Sequence, residues 1–150
     1  MKKIIFFLFI ATAAFTSCKK DTDDRDAFVG TYTETLNGSI TFTINGTNYT
    51  EAVNDDGTFT IEKISTTNKV ARIDGGGSYE ATVSGNSIVF DTMYENETTD
   101  DGIDLQMTLN VEGVLSGITL NYTMLVTGTG YYNGYAFPIS GTITSVATKQ

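Results

Sequence analysis

The chain of 150 residues contains no histidine, no tryptophan, one cysteine and one proline. Without histidine it lacks the side chain most used as a general base near neutral pH and as a transition-metal ligand. A single cysteine cannot close an internal disulfide, so packing and strand pairing must supply the stability. Positive charge is also scarce. Nine Lys and Arg stand against eighteen Asp and Glu, for a formal net charge of −9, and two of the nine, Lys2 and Lys3, sit at the very start. So acidic a body repels phosphate backbones and anionic lipid alike. Nucleic acid is therefore not expected as a partner, and attachment to a membrane needs a cause other than charge. What is abundant is Thr, Tyr, Phe, Ile, Val and Gly, the vocabulary of strands and turns.

Residues 1–17 have the layout of a signal peptide. Met1-Lys2-Lys3 is a positive start, and the apolar run Ile4–Phe15 is shorter than the roughly 20 residues a spanning helix needs. Phe15-Thr16-Ser17-Cys18 then resembles the lipobox cut by lipoprotein signal peptidase. That resemblance implies a diacylglyceryl group on the Cys18 thiol and an outer-membrane lipid anchor, facing either the periplasm or the cell surface. Several acyl chains hold far more firmly than one, at about 0.8 kcal/mol per buried CH₂. Residues 18–27 are expected as the lipidated cysteine and a charged, solvated tether. Lys20-Asp21 and Asp23-Asp24 within it resemble the signals that follow the lipidated cysteine in surface-exposed lipoproteins of the Bacteroidetes; a mere spacer is the competing reading.

From Phe28 to the end, residues 28–150, the apolar period is two. Ile103, Leu105, Met107, Leu109 and Val111 fall on one face, with Asp104, Gln106, Thr108 and Asn110 on the other. Ile118, Leu120, Tyr122, Met124 and Val126 repeat the pattern, as do Ile40, Phe42 and Ile44; Phe59 and Ile61; Tyr79, Ala81 and Val83; and Ile88, Phe90 and Tyr94. Ile139–Ala147 alternates more weakly. One dry and one wet face favour antiparallel pairing. Turns are expected at Asn45-Gly46, Asp56-Gly57, Gly75-Gly76-Gly77 and Gly85-Asn86, with longer connections over 95–102 and 128–138. Nine or ten strands and no helix are expected. The fold class is all-β: an antiparallel up-and-down meander closed into a barrel, with a two-sheet β-sandwich as the alternative.

Phe28-Val29-Gly30-Thr31-Tyr32, opening the first strand, resembles the Gly-x-Trp phrase of lipocalin-like domains, with Tyr32 in the Trp place. Small Bacteroidetes lipoproteins with such domains also close on a Gly-Thr strand like Gly141-Thr142-Ile143-Thr144. The resemblance implies a lipocalin-like (calycin) barrel and, since that fold hosts many functions, only weakly a ligand.

Three groups of residues are candidates for function. Tyr131, Tyr132, Tyr135 and Phe137, in a glycine-rich segment, could stack on a sugar ring or cover an apolar ligand, or else plug the barrel end. Phe42, Phe59, Phe90, Met107 and Tyr122, with Leu105, Leu120 and Met124, would line the lumen, as a cavity or a filled core. Glu95, Glu97, Asp100, Asp101 and Asp104 are rich in oxygen but lack the EF-hand spacing, so a solvated acidic loop is favoured and no metal is expected. Asp91-Thr92-Met93 resembles a Bacteroidetes O-glycosylation site, but alternation would bury Thr92. A carboxylate pair such as Glu34 with Glu62 is conceivable in the lumen, yet no spacing supports catalysis. The expectation is therefore not an enzyme and no cofactor. The chain should be an anchored lipoprotein binding a small apolar ligand in its barrel, or a structural or interaction module meeting a protein or glycan through its loops.

Overall fold

The structure, a computed structural model, describes residues 22–99 and 102–150. The expected signal peptide over 1–17, the expected lipidation site Cys18, the start of the expected tether, and Asp100 and Asp101 lie outside the described residues.

Nine antiparallel strands follow one helical turn, α1 (Arg25–Phe28). They are β1 (Gly30–Ile44), β2 (Thr47–Lys63), β3 (Lys69–Asp74), β4 (Gly77–Ser84), β5 (Ser87–Phe90), β6 (Met93–Thr98), β7 (Asp104–Ser116), β8 (Thr119–Tyr132) and β9 (Tyr135–Lys149). Each pairs with its neighbour in sequence, β9 returns to β1, and the exception is β5, which skips β6 and pairs with β7 through Ile88↔Gly113. That last pairing closes eight strands into a hydrogen-bonded ring and leaves β6 outside it on β7. The meander is thus a barrel rather than two separate sheets, but an uneven one. β3 meets β2 only over Thr60–Lys63, so the long strands rise beyond the ring as a curled, open sheet.

The alternation read from the sequence sets which face is dry. Tyr32, Phe59, Ile61, Val70, Val83, Ile88, Leu120 and Ala147 form the fully buried lower core, each large apolar side chain contributing about 1.5–3 kcal/mol. A second cluster of Leu105, Phe137 and Ile139, with Ile40, Phe42, Ile103 and Met107 against it, sits on the raised sheet. Tyr32, at the place of the expected tryptophan, stacks on Phe59 with ring centroids 5.1 Å apart and donates to Phe28 O at 2.7 Å.

Several expectations change. The connection over 95–102 is strand β6 as far as Thr98, and one helical turn, α1, stands where no helix was expected. Asp56-Gly57 is no turn: β2 runs through it, and Gly57 lies opposite Glu34. Residues 128–138 are no long loop either. Gly128 and Gly130 lie within β8 because a Cβ there would strike Gln106 O at 2.2 Å and the Phe137 ring at 2.2 Å; the only reversal is the two-residue turn Asn133-Gly134, both at positive φ. The chain breaks at Asp91-Thr92, which shifts the parity: Met93 turns inward, while Tyr94 is 73% exposed and Thr92 lies in the open. Finally, residues 22–27, expected within a solvated tether, dock on the barrel's lower end. Asp23 binds the Arg25 guanidinium and Lys63 Nζ, Asp24 accepts from Gly85 N at 2.7 Å, and Arg25 donates to Ser65 O. These local acids and the arginine find partners in the loops at that end, and Phe28 is thereby inserted under Tyr32 as a stopper.

Candidate functional site

Glu34 lies on the inward face of β1, between Tyr32 and Leu36, and is 4% exposed. A lone ionised carboxylate there would be prohibitive, so it must be paired. Arg72 of β3 supplies the pair, with Nη2 2.6 Å from Oε1 and Nη1 3.2 Å from Oε2. The Tyr122 hydroxyl of β8 also donates to Glu34 Oε2, and Ser145 Oγ of β9 does so at 3.2 Å. Arg72 Nη1 donates to Tyr122 Oη at 2.5 Å, and Nε donates to Asp74 Oδ2 at 3.2 Å. Four strands thus converge on one carboxylate across the lumen.

The neighbours set the proton affinities. Burial weighs against the Arg72 charge, yet the hydrogen bonds and charge of Glu34 outweigh it and hold the guanidinium above its ordinary pKa. Burial pushes the Tyr122 phenol up to about 12, the Arg72 charge pulling the other way. The network is an ion pair bridged by a phenol.

Above this floor is a cavity of about 170 Å³. Phe90, Met93, Leu109, Val111 and Met124 make its apolar wall; Arg72 and Tyr122 form its base; Asp74, Tyr79 and Glu95 make its rim. The rim residues are half-buried, so the cavity reaches solvent between the β3–β4 hairpin and β6. Asp74 is held in place twice over: its Oδ1 accepts from Gly76 N and Gly77 N at 2.9 and 3.2 Å, and its Oδ2 faces Arg72.

The lumen candidates divide between two places. Tyr122 and Phe90 line the cavity; Phe59 lies beneath it, under Arg72; Phe42, Met107 and Phe137 belong to the second cluster. Tyr132, Tyr135 and Phe137 share a surface recess with Ile44, Asn45 and Ile103, and Tyr131 lies 39% exposed beside it. Glu62 points outward, so Glu34 is partnered by a cation and not by a second carboxylate. Glu95 and Glu97 belong to β6, and Asp104 opens β7, accepting from Thr98 Oγ1 at 2.7 Å. Among the described residues no group of three or more His, Cys, Asp or Glu is placed to hold a metal ion. Sequence reasoning missed Arg72, Asp74 and Ser145. Parity was the available signal: Val70, Arg72 and Asp74 share a face, which puts a basic residue on the same inward side as Glu34.

No family model matches the chain, and no curated protein does. Among solved structures, the ywiB protein from Bacillus subtilis is similar over 83% of this chain and 96% of its own, at 10% identity and a TM-score of 0.38. A likeness that distant says nothing about function.

Proposed function

We propose that this is a lipid-anchored binding protein whose barrel, of lipocalin-like type, takes a small and largely apolar molecule into the cavity above the Glu34–Arg72 pair. The observation that carries this reading is the cavity itself: an apolar wall over a polar base, open at one rim, as small-molecule sites commonly are. Its size suits a body of about one ring, since a dry protein cavity of roughly 150 Å³ can hold benzene. Met93 and Met124 are adaptable walls for such a guest. The test is methyl NMR of the methionine-labelled full chain in lipid nanodiscs, titrated with benzyl alcohol. Saturable shifts at Met93 and Met124, with Met107 unmoved, are the expected result; three methyls silent to benzyl alcohol, benzylamine and benzoate alike would refute the reading.

The anchor is tested separately. Cys18→Ser should abolish metabolic labelling with palmitate and leave the signal peptide uncut. Labelling that survives the substitution would refute lipidation at this residue.

A second reading has its own observation. The edge of β2 over 47–59 that faces away from β1, and the outer edge of β6, have no strand partner among the described residues, and such edges accept an added strand. An interaction module would use these edges together with the exposed Tyr94, Tyr131, Tyr132 and Tyr135.

A further inference from the structure

The cavity's charge balance carries a statement about its guest, one that rests on the binding reading above. Arg72 is the one basic residue lining the cavity, and its donors are committed to Glu34, Tyr122 and Asp74. Its charge is shared between Glu34 and Asp74, so three carboxylates, counting Glu95, face one cation and the rim keeps net negative charge. Every other basic residue among the described ones is engaged elsewhere: Arg25 and Lys63 with Asp23, Lys69 with Glu80 and Asp91, and Lys149 with Ala27 O. Glu95 is half-buried, faces the cavity from β6, and has no ion-pair or hydrogen-bond partner among the described side chains. Between the two acids stands Tyr79. Its phenol is shifted up by burial first and then by the charges of Asp74 and Glu95, so both carboxylates act at one point on the rim.

We propose that the cavity selects an organic cation, an apolar body of about one ring bearing an ammonium group that sits at the rim against Glu95 and Asp74 and beside the Tyr79 ring. An aromatic face and a carboxylate together make a site for ammonium. An anionic guest would find the arginine already saturated and would meet net negative charge. Glu95 is the selective element: Asp74 also holds the hairpin and Arg72, whereas Glu95 is otherwise unengaged.

The experiment compares three guests of similar shape, benzylamine, benzyl alcohol and benzoate, by the Met93 and Met124 methyl shifts of the full chain in nanodiscs at pH 7. Benzylamine should bind at least about tenfold more tightly than benzyl alcohol, a gap of about 1.4 kcal/mol, and benzoate more weakly than either. In E95Q the ratio of amine to alcohol affinity should fall several-fold, with unchanged methyl shifts in the empty protein showing that the fold is kept. Equal binding of amine and alcohol, or benzoate as the tightest guest, overturns the charge selection while leaving the cavity reading standing. A ratio that persists in E95Q overturns the assignment to Glu95. Failure of all three guests removes the cavity reading and this inference with it.

Discussion

The Arg72 guanidinium lies over the Phe59 ring, its Cζ 4.1 Å from the ring centroid, and that same ring is stacked on Tyr32 with the two planes inclined by only 6°. The lower core and the charged pair are therefore one layered object: stopper, tyrosine, phenylalanine, guanidinium, carboxylate. The arginine gains a cation–π contact where water is excluded, and the pair is held in register by groups on four strands.

Removing one charge of this pair should cost far more than removing both. Arg72→Met strands a buried carboxylate with only Tyr122 and Ser145 as donors, and Glu34→Gln leaves the largely buried guanidinium with Asp74 as its one carboxylate partner. Each should destabilise the barrel by about 3–5 kcal/mol. The double variant should lose clearly less than the sum, because no uncompensated charge remains. Urea denaturation of the four proteins checks this; strictly additive losses would mean that the two residues are not coupled.

Tyr122 gives the fold an alkaline limit. Its phenol titrates near 12 in the folded protein against an ordinary 10.0. The neutral form is the one the fold favours. That stability is fully present below pH 10 and is lost as pH rises through 12. The difference amounts to about 2–3 kcal/mol. Tyrosinate absorbance should show a late step that accompanies unfolding, to which Tyr122 contributes together with the raised phenols of Tyr32 and Tyr79. In Tyr122→Phe that step should lose one phenol's absorbance, and stability should fall less steeply above pH 10.

The bending of the long strands rests on particular glycines. A Cβ on Gly38 would lie 2.3 Å from Thr142 O, and one on Gly141 would lie 2.6 Å from Ser39 O, so β1 and β9 touch backbone to backbone there. Gly38→Ala and Gly141→Ala should each cost at least about 1–3 kcal/mol through forced backbone shifts. Gly57→Ala meets only Glu34 atoms at 3.5 Å and beyond and should lie within about 1 kcal/mol of the parent. Thermal melts of the three variants provide the measurement, and equal losses would contradict the close approach.

Alternation made the barrel legible wherever the outward face is polar. Leu105, Val111, Leu120, Tyr122 and Val126 all turn inward as their period indicates. Ile118 does not, at 60% exposed, because Gly117 takes positive φ and places it in the β7–β8 turn. The same code hid the site. Glu34, Arg72 and Ser145 occupy inward positions as polar residues, which weakens the alternation just where it matters; Ser145 is one reason β9 read as irregular, although its buried positions alternate strictly from Phe137 to Ala147. Glycine misled in the other direction. As Gly128 and Gly130 it makes room inside strands, and only a knowledge of what lies opposite separates that use from a turn.

The aromatic tip of the β8–β9 hairpin separates stability from surface. Tyr131, Tyr132 and Tyr135 are 39%, 47% and 77% exposed, whereas Phe137 is 6% exposed, lies across Gly130 and meets Phe42 edge-on at 6.3 Å. Tyr135 stays largely in water and Tyr131 and Tyr132 keep about half of their surface there, so replacing Tyr131 and Tyr132 together by Ala should cost about 1–2 kcal/mol. Phe137→Ala empties the centre of the second cluster and should cost about 3–5 kcal/mol. Because that cluster sits on the raised sheet, where β2 has only one neighbour, hydrogen exchange in Phe137→Ala should quicken at β2 over 47–56 and along β6 before it does at Tyr32 or Leu120. Uniform acceleration would mean that the raised sheet and the ring unfold as one unit. Acceleration confined to the sheet would show that the ring, with its stopper and its charged pair, stands without it.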